Sequence, residues 1–500
     1  MFALALWDRQ QKALTLARDR MGEKPLYWGW SKDTFLFGSE LKALKAFPGF
    51  EGLIDRQALS LLLQYNYIPA PHSIYQGIQK LPAAHFIQII PGRDKCDASP
   101  QPYWSMNRAV EQGGANQFEG SDLDAVDALE RLLGKSISSQ MLADVPLGAF
   151  LSGGVDSSAV AALMQAQSSQ PVNTFAIGFD VPGYNEAEFA AHVADHLGTN
   201  HTELYVGPEE ALGVIPLLPD MYCEPFADSS QIPTFLVSEM AKEHVTVALS
   251  GDGGDELFGG YAPYQFAPKV WRYMACMPLK MRKLGASIAL GLPLQGKLRK
   301  LAELMPSESR EHFYQSLVSH WPQPKDVVIG AGLPATVLSS SNAWPKVDDF
   351  ESWMMAMDAQ QYLCDDILVK VDRAAMFNSL ETRVPMLDHR VVEFACQLPL
   401  HMKIRHGVGK WVLREVLYRH VPRSLIERPK KGFSVPLGKW LRGPLREWAE
   451  ALLNESRLQR EGYFKPDPVL KAWKQHLEGK VDNSRKLWSV LMFQAWLEVQ

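Results

Sequence analysis

The sequence predicts an α/β protein: a doubly wound, mostly parallel sheet with a helical C-terminal half, preceded by a partial β-rich domain. Three observations predict it. Strand-like runs alternate with helical stretches from Leu147 to Leu249, a spacing that gives parallel strands joined by right-handed crossovers. Residues 1 to about 104 instead carry closely spaced strand-like runs broken by Gly and Asp, as antiparallel layers do. From about residue 262 onward helical periodicity dominates.

In order, Met1–Trp7 reads as the middle of a strand and Lys12–Ala17 as the next. A helix is expected over Arg56–Gln64 and a strand over His85–Ile90. Residues 106–121 hold Gln112-Gly-Gly-Ala-Asn-Gln117 without apolar periodicity and read as a linker or loose loop. Ser121 then caps a helix with Asp124 three positions on, and Leu123, Val126, Leu129, Leu133, Ile137 and Met141 recur at helical spacing. Strands follow at Leu147–Leu151, Asn173–Phe179, His201–Val206 and Val245–Leu249, with helices from Ser157, over Glu186–Leu197 and over Pro233–His244. Later helices are expected at Ala356–Asn378, Val391–Gln397, Lys410–Tyr418, Pro444–Asn454 and Trp488–Gln500. The resulting units are 1–105, a linker at 106–121, and 122–500.

The chain has 500 residues, 46% hydrophobic and 21% charged, enough for two or more domains with sizeable cores. Its formal net charge of −5 gives no general attraction to nucleic acid or an anionic membrane. The cysteines (Cys96, Cys223, Cys276, Cys364, Cys396) are scattered and odd in number, which argues for a reducing compartment. No signal peptide and no membrane-spanning apolar run is read, so a cytoplasmic location is expected.

The chemistry concentrates at strand ends. After the apolar Leu147–Leu151, the run Ser152-Gly-Gly-Val-Asp156-Ser157 turns directly into a helix. Backbone N–H groups of such a turn, and those of the first helical turn, point at an anion. Paired glycines admit a phosphate without a Cβ in the way. The Lys-Ser/Thr of a Walker loop and the Gly-x-Gly-x-x-Gly of a dinucleotide loop are both missing. An Asp beside phosphates implies a bridging Mg²⁺. Taken alone, the segment fits a capped strand-to-helix turn equally well. A second loop, Ser250-Gly-Asp-Gly-Gly-Asp-Glu-Leu-Phe-Gly-Gly-Tyr261, follows another strand and pairs close-approach glycines with three acids. Ligands of open α/β sheets bind at strand C-termini where the strand order reverses.

Together these loops resemble the asparagine synthetase family, whose ATP site is of the N-type ATP pyrophosphatase class. The resemblance continues through Glu224-Pro-Phe-Ala-Asp-Ser-Ser230, Asp366-Ile-Leu-Val-Lys-Val-Asp-Arg373, Glu381-Thr-Arg-Val-Pro-Met-Leu-Asp388 and Arg428-Pro-Lys-Lys-Gly-Phe433. It implies an adenine nucleotide α-hydrolase-like sheet, activation of aspartate by ATP as β-aspartyl-AMP with release of pyrophosphate, and amidation by ammonia. On that resemblance Leu151, Ser152, Gly153, Gly154, Asp156, Ser157, Ile177, Ser250 and Gly251 contact ATP or pyrophosphate, and Asp156 and Asp255 hold Mg²⁺. Asp252, Lys430 and Glu381 are the catalytic candidates. Asp252 stands where the family carries Glu, one methylene longer, so its role as base is direct or through water. Lys430 stabilises negative charge during adenylation. Asp228 and Ser229 face the acceptor or serve as a cap, and Lys370 with Asp366 reads as an exposed i,i+4 pair.

The family's N-terminal domain is a glutaminase whose nucleophile is the cysteine after the initiator Met. Here residue 2 is Phe, and residues 1–44 resemble the latter half of that domain, so glutaminase activity is not expected of this chain, which reads either as a fragment of a glutamine-dependent enzyme or as an enzyme that uses free ammonia. The expected partners are small molecules: ATP, aspartate or another carboxylate, and ammonia or glutamine. A homodimer is the oligomer to test. The alternatives are the same chemistry on a sugar acid or secondary metabolite, or a non-catalytic remnant.

Overall fold

The computed structural model describes residues 1–92, 98–179, 187–292, 296–427 and 435–500. Its first hundred residues form two antiparallel sheets. One has the order β1 (Ala3–Asp8), β2 (Ala13–Arg18), β6 (His85–Ile89), β7 (Gln101–Pro102); the other runs β4 (Thr34–Gly38), β3 (Tyr27–Ser31), β5 (Ile78–Lys80). Leu16, Leu26, Trp28, Leu81, Ile87 and Ile89 form a small apolar core of their own. The helix Arg56–Tyr65 buries a run of leucines and ends at Asn66, which takes a left-handed conformation.

The second part is built on a five-stranded parallel sheet: β8 (Leu147–Phe150), β9 (Asn173–Phe179), β10 (Asn200–Val206), β11 (Val247–Leu249) and β12 (Glu381–Arg383). The order is β10-β9-β8-β11-β12, with every pair parallel. Successive strands step outward from β8 to β10, and the chain then returns to the other side of β8 for β11. The reversal lies between β8 and β11, where Val247 faces Leu147 and Leu249 faces Ala149. Short connections cannot fill the crevice that such a reversal opens at the strand ends.

Helix entry follows local chemistry. Ser121 and Asp124 form the reciprocal cap: the Ser121 side chain accepts from the Asp124 amide, and Asp124 accepts from the Ser121 amide at 2.9 Å. Val126, Leu129, Leu133 and Ile137 are buried, whereas Leu123 is exposed. Two segments differ from expectation. The stretch expected to be a linker carries the helix Met106–Ala115, capped by Ser105. Its buried face is Met106, Ala109 and Gly113, of which only Met106 is large and apolar, so no apolar stripe results, and it packs on the helix His389–Gln397. The helical half contributes a strand, β12, whose polar Glu-Thr-Arg carries no strand pattern; β11 supplies its hydrogen-bonding edge. The expected helix Ala356–Asn378 is broken by a π-helical turn, Leu363–Ile367, between Phe350–Gln360 and Leu368–Phe377.

The two parts are joined by buried polar contacts. Lys80 of β5 pairs with Glu224, both almost fully buried. Glu224 also accepts from the Ile74 amide at 3.3 Å and from the Tyr27 hydroxyl at 3.4 Å. Breaking a buried pair leaves an uncompensated charge, so Lys80→Met should lower the unfolding free energy by about 3–5 kcal/mol. Arg446→Ala, which breaks an exposed i,i+4 pair with Glu450, should cost about 0.5 kcal/mol or less. Chemical denaturation of the two variants checks the ranking.

Candidate active site

The turn after β8 is held by its own side chains. The Ser152 amide donates to Ser157 Oγ at 3.1 Å, the two hydroxyls lie 2.9 Å apart, and the Gly154 amide donates to Ser152 Oγ at 3.3 Å. Gly154 is the N-cap of the helix Val155–Gln167 and supplies no side-chain acceptor. The first-turn amides therefore keep their positive end for a ligand.

The turn after β11 packs directly against this helix start. A Cβ on Gly251 would sit 2.7 Å from the Ser157 amide nitrogen and 2.8 Å from the Asp156 carbonyl carbon. Any side chain at 251 would force the two loops apart. At Gly260 a Cβ would come within 2.1 Å of Lys410 Cε. Lys410 is buried, at 4% exposure, and takes a left-handed conformation (φ 63°) just ahead of the helix Trp411–Leu417. Its amide donates to the Phe258 carbonyl at 2.8 Å. Its ammonium bridges the loops, contacting Asp156 Oδ2 and lying 2.6 Å from Asp255 Oδ1.

Asp156 and Asp255 thus converge on a single cation. Asp156 Oδ1 is in addition buried without a hydrogen-bond partner, a spare anionic oxygen. This donor set fits a hard divalent ion. Among the described residues no cluster of three or more His, Cys, Asp or Glu is set to hold a metal, so ligand oxygens would have to complete the shell.

The loops open onto a cavity of about 730 Å³. Leu151, Ser152, Gly154, Asp156, Ser157, Ile177, Ser250, Gly251, Asp252 and Asp255 all line it. Gly153 does not; its φ of 68° turns it toward Phe189 and Ala190. Glu381 is not among the residues that line the cavity. It begins β12 opposite Val247, at the end of the sheet away from the loops, and pairs with Arg383 at 2.7 Å. Lys430 lies outside the described residues.

Several wall residues carried no individual signal in the sequence. Tyr65, Asn66 and Tyr67 come from the first hundred residues. Lys410 stands alone in the polar stretch His406–Lys410, and only its neighbouring glycines hinted at close packing. Lys370 and Asp366 are both buried rather than an exposed pair. Lys370 donates to Asp228 Oδ2 at 3.0 Å and Ser230 Oγ at 2.9 Å. Asp228 is both cavity wall and cap, since it accepts from the Ser230 amide at 2.9 Å.

Burial dominates the titration of the acids. Asp252 opens on the cavity but is ringed by protein, and that enclosure pushes its carboxyl up while the Ser250 hydroxyl bonded to it pulls down. Glu256 is pushed up to about 8 by burial, assisted by Asp255, and accepts from the Tyr261 hydroxyl at 2.7 Å. Asp358 is pushed up to about 6 by burial, although the Tyr264 and Tyr314 hydroxyls both donate to it.

A parallel sheet whose order reverses beneath a glycine-rich turn and two converging carboxylates is an α/β architecture with a cavity at its switch point. Residues 128–498 match the family described as "Asparagine synthase", and residues 1–104 the one described as "Glutamine amidotransferase domain". The chain belongs to the asparagine synthase family and is an enzyme of that type. It is 32% identical over 511 residues to asparagine synthetase (glutamine-hydrolyzing) 1 of Bacillus subtilis strain 168, covering 99% of this chain and 77% of that protein. Asparagine synthetase (glutamine-hydrolyzing) 2 of the same strain is 30% identical over 460 residues, covering 87% and 55%. Amidase chry2 of Gibberella zeae is 24% identical over 508 residues, covering 92% and 73%. Among the described residues no helix is long and apolar enough to cross a membrane.

Asp358 gives a test of the wall's electrostatics. Its folded value of about 6 exceeds its ordinary 3.8, so between them the folded chain binds more protons than the unfolded one. Its contribution to stability therefore falls as pH rises from about 4 to about 6 and then levels off, by about 3 kcal/mol. Asp358→Asn should remove that fall. Urea unfolding of both chains at pH 4 and pH 7 reads it, and equal pH dependence would reject the assignment.

Proposed function

We propose that this chain activates the side-chain carboxylate of aspartate with ATP and amidates it with ammonia to give asparagine. The observation that carries the reading is the convergence of Asp156 and Asp255 across two loops, beside a helix start with open amides. In the adenylation step the carboxylate attacks the α-phosphorus and pyrophosphate leaves, so negative charge accumulates where those amides and the Ser152 and Ser157 hydroxyls point. Lys410 already sits at that position as a cation. A Mg²⁺ held by Asp156 and Asp255 would, when bound, neutralise the leaving pyrophosphate. Leu151, Ile177, Ser250 and Gly251 form the wall assigned to the adenosine half, in keeping with a doubly wound, adenine nucleotide α-hydrolase-like sheet.

In the second step ammonia adds to the acyl carbon and AMP departs. The nitrogen must lose a proton, and Asp252 is the acceptor we assign, its basicity raised by burial. Lys430 is assigned to charge stabilisation during adenylation. The nitrogen source proposed for this polypeptide is free ammonia. Three of the four described cysteines, Cys223, Cys364 and Cys396, have their thiols pushed up by burial, the opposite of an activated nucleophile; the fourth, Cys276, is exposed.

With MgATP, aspartate and ammonia the purified chain should release pyrophosphate and form asparagine, and glutamine in place of ammonia should not support the reaction. If another carboxylic acid drives pyrophosphate release while aspartate does not, the asparagine assignment falls. Asp156→Ala should reduce pyrophosphate release by roughly 100-fold or more. A chain that shows no ATP cleavage with any acid is a non-catalytic remnant.

A further inference from the structure

Charge is unevenly spread along this acidic chain. Between Glu256 and Glu303 the sequence has no Asp or Glu but eight Lys or Arg, within a chain whose formal net charge is −5. The segment carries three helices: Ala262–Ala275, Leu279–Leu290 and Gly296–Leu304.

The middle helix has two unlike faces. Arg282 and Ala286, one turn apart, are buried. The Arg282 guanidinium donates to the carbonyls of Met277 and Met305 at 3.2 Å and of Ser307 at 2.6 Å, and lies 5.4 Å from the centre of the Trp271 ring. These contacts fix the roll of the helix about its axis. On the opposite side Met281, Leu284 and Ile288 recur at helical spacing, 63%, 64% and 62% exposed. A soluble helix normally buries such a stripe; here the fold turns it outward. Single exposed apolar side chains are ordinary, whereas a contiguous stripe marks a docking surface.

Cations accompany the stripe. Lys280, at the start of the helix, is exposed and has no ion pair among the described residues. The same holds for Lys297, which opens the next helix beside the exposed Leu298, and for Arg272, beside the exposed Tyr273. Lys283 and Arg299 are instead paired with Glu308 and Glu303. Outward apolar side chains among cations, with no acid in the intervening sequence, are complementary to an anionic lipid surface. Its acyl region takes up the apolar groups and its headgroup phosphates meet the cations. A second copy of this chain docked two-fold on the same face would set like charges against each other. A nucleic acid would leave the apolar stripe unused.

We propose that the helix Leu279–Leu290 docks this chain on an anionic lipid bilayer, lying in the headgroup layer with Met281, Leu284 and Ile288 toward the acyl chains. Three apolar side chains and a few cations give reversible, salt-sensitive attachment to one leaflet. The net negative charge of the whole chain does not oppose this, because the field close to a surface is set by the charges within about 10 Å of it.

The test floats the full chain on density gradients with vesicles of phosphatidylcholine and phosphatidylglycerol in equal parts, or of phosphatidylcholine alone. The readout needs neither ATP nor a carboxylic acid. Partition onto the anionic vesicles should exceed that onto the neutral ones by roughly 10-fold or more, and should be lost at about 0.5 M NaCl. Replacing Met281, Leu284 and Ile288 together by Gln should abolish flotation. Lys280→Glu combined with Lys297→Glu should weaken it by roughly 10-fold. Both variants should keep the wild-type circular dichroism and rate of pyrophosphate release. No flotation of the wild type, equal flotation with both vesicles, or undiminished flotation of the Gln variant overturns the proposal. A wild-type dimer that the Gln variant converts to a monomer in sedimentation, without vesicle binding, also overturns it, since a second copy is then the occupant. If the Gln variant does not fold, Ile288→Gln alone and the comparison of the two vesicles still decide.

Discussion

Two carboxylates facing each other in a buried crevice repel unless a cation lies between them, and the active site rests on that constraint. Lys410 meets it from 254 residues away in sequence. Its ammonium ties the turn after β8 to the turn after β11, and its backbone ties both to the helical half through Phe258. The glycines at 251 and 260 follow from the same constraint, because the loops and the lysine stem leave no room for a Cβ at either position. The ligand site is therefore braced by charge rather than by apolar packing alone. A divalent ion entering between Asp156 and Asp255 must share or displace that ammonium.

Away from the braced end the cavity changes character. Glu256, Asp358 and Asp366 line a region also occupied by Tyr67, Tyr261, Tyr314 and Tyr362. Burial raises the affinity of all three acids for protons, and tyrosine hydroxyls donate to Glu256 and Asp358. Three ionised carboxylates this enclosed would be very costly. Hydroxyl donors to Glu256 and Asp358 offset part of that cost.

The sequence made the sheet and both loops legible, because each is contiguous: apolar strand, small-residue turn, helix start. The adjacency of the loops followed from alternating strands and helices together with the rule on strand-order reversal. What it hid is non-local or lacks contrast. Lys410 is an ordinary lysine until the fold sets it between two acids. Asp366 and Lys370 have the spacing of an exposed ion pair, and only burial separates them into different roles. The helix Met106–Ala115 buries one large apolar side chain, Met106, beside Ala109 and Gly113, so no stripe announces it. β12 is three polar residues long, so no apolar run marks it as a strand.

Tyr65, Asn66 and Tyr67 sit where the helix Arg56–Tyr65 ends, in the part of the chain that matches a glutamine amidotransferase domain, yet they wall the cavity of the part that matches asparagine synthase. The boundary between the two matched regions is therefore not a boundary of the site. Grafting a different N-terminal region onto this chain would replace part of the cavity wall. The two regions are expected to change together over evolution, as one object under one set of constraints.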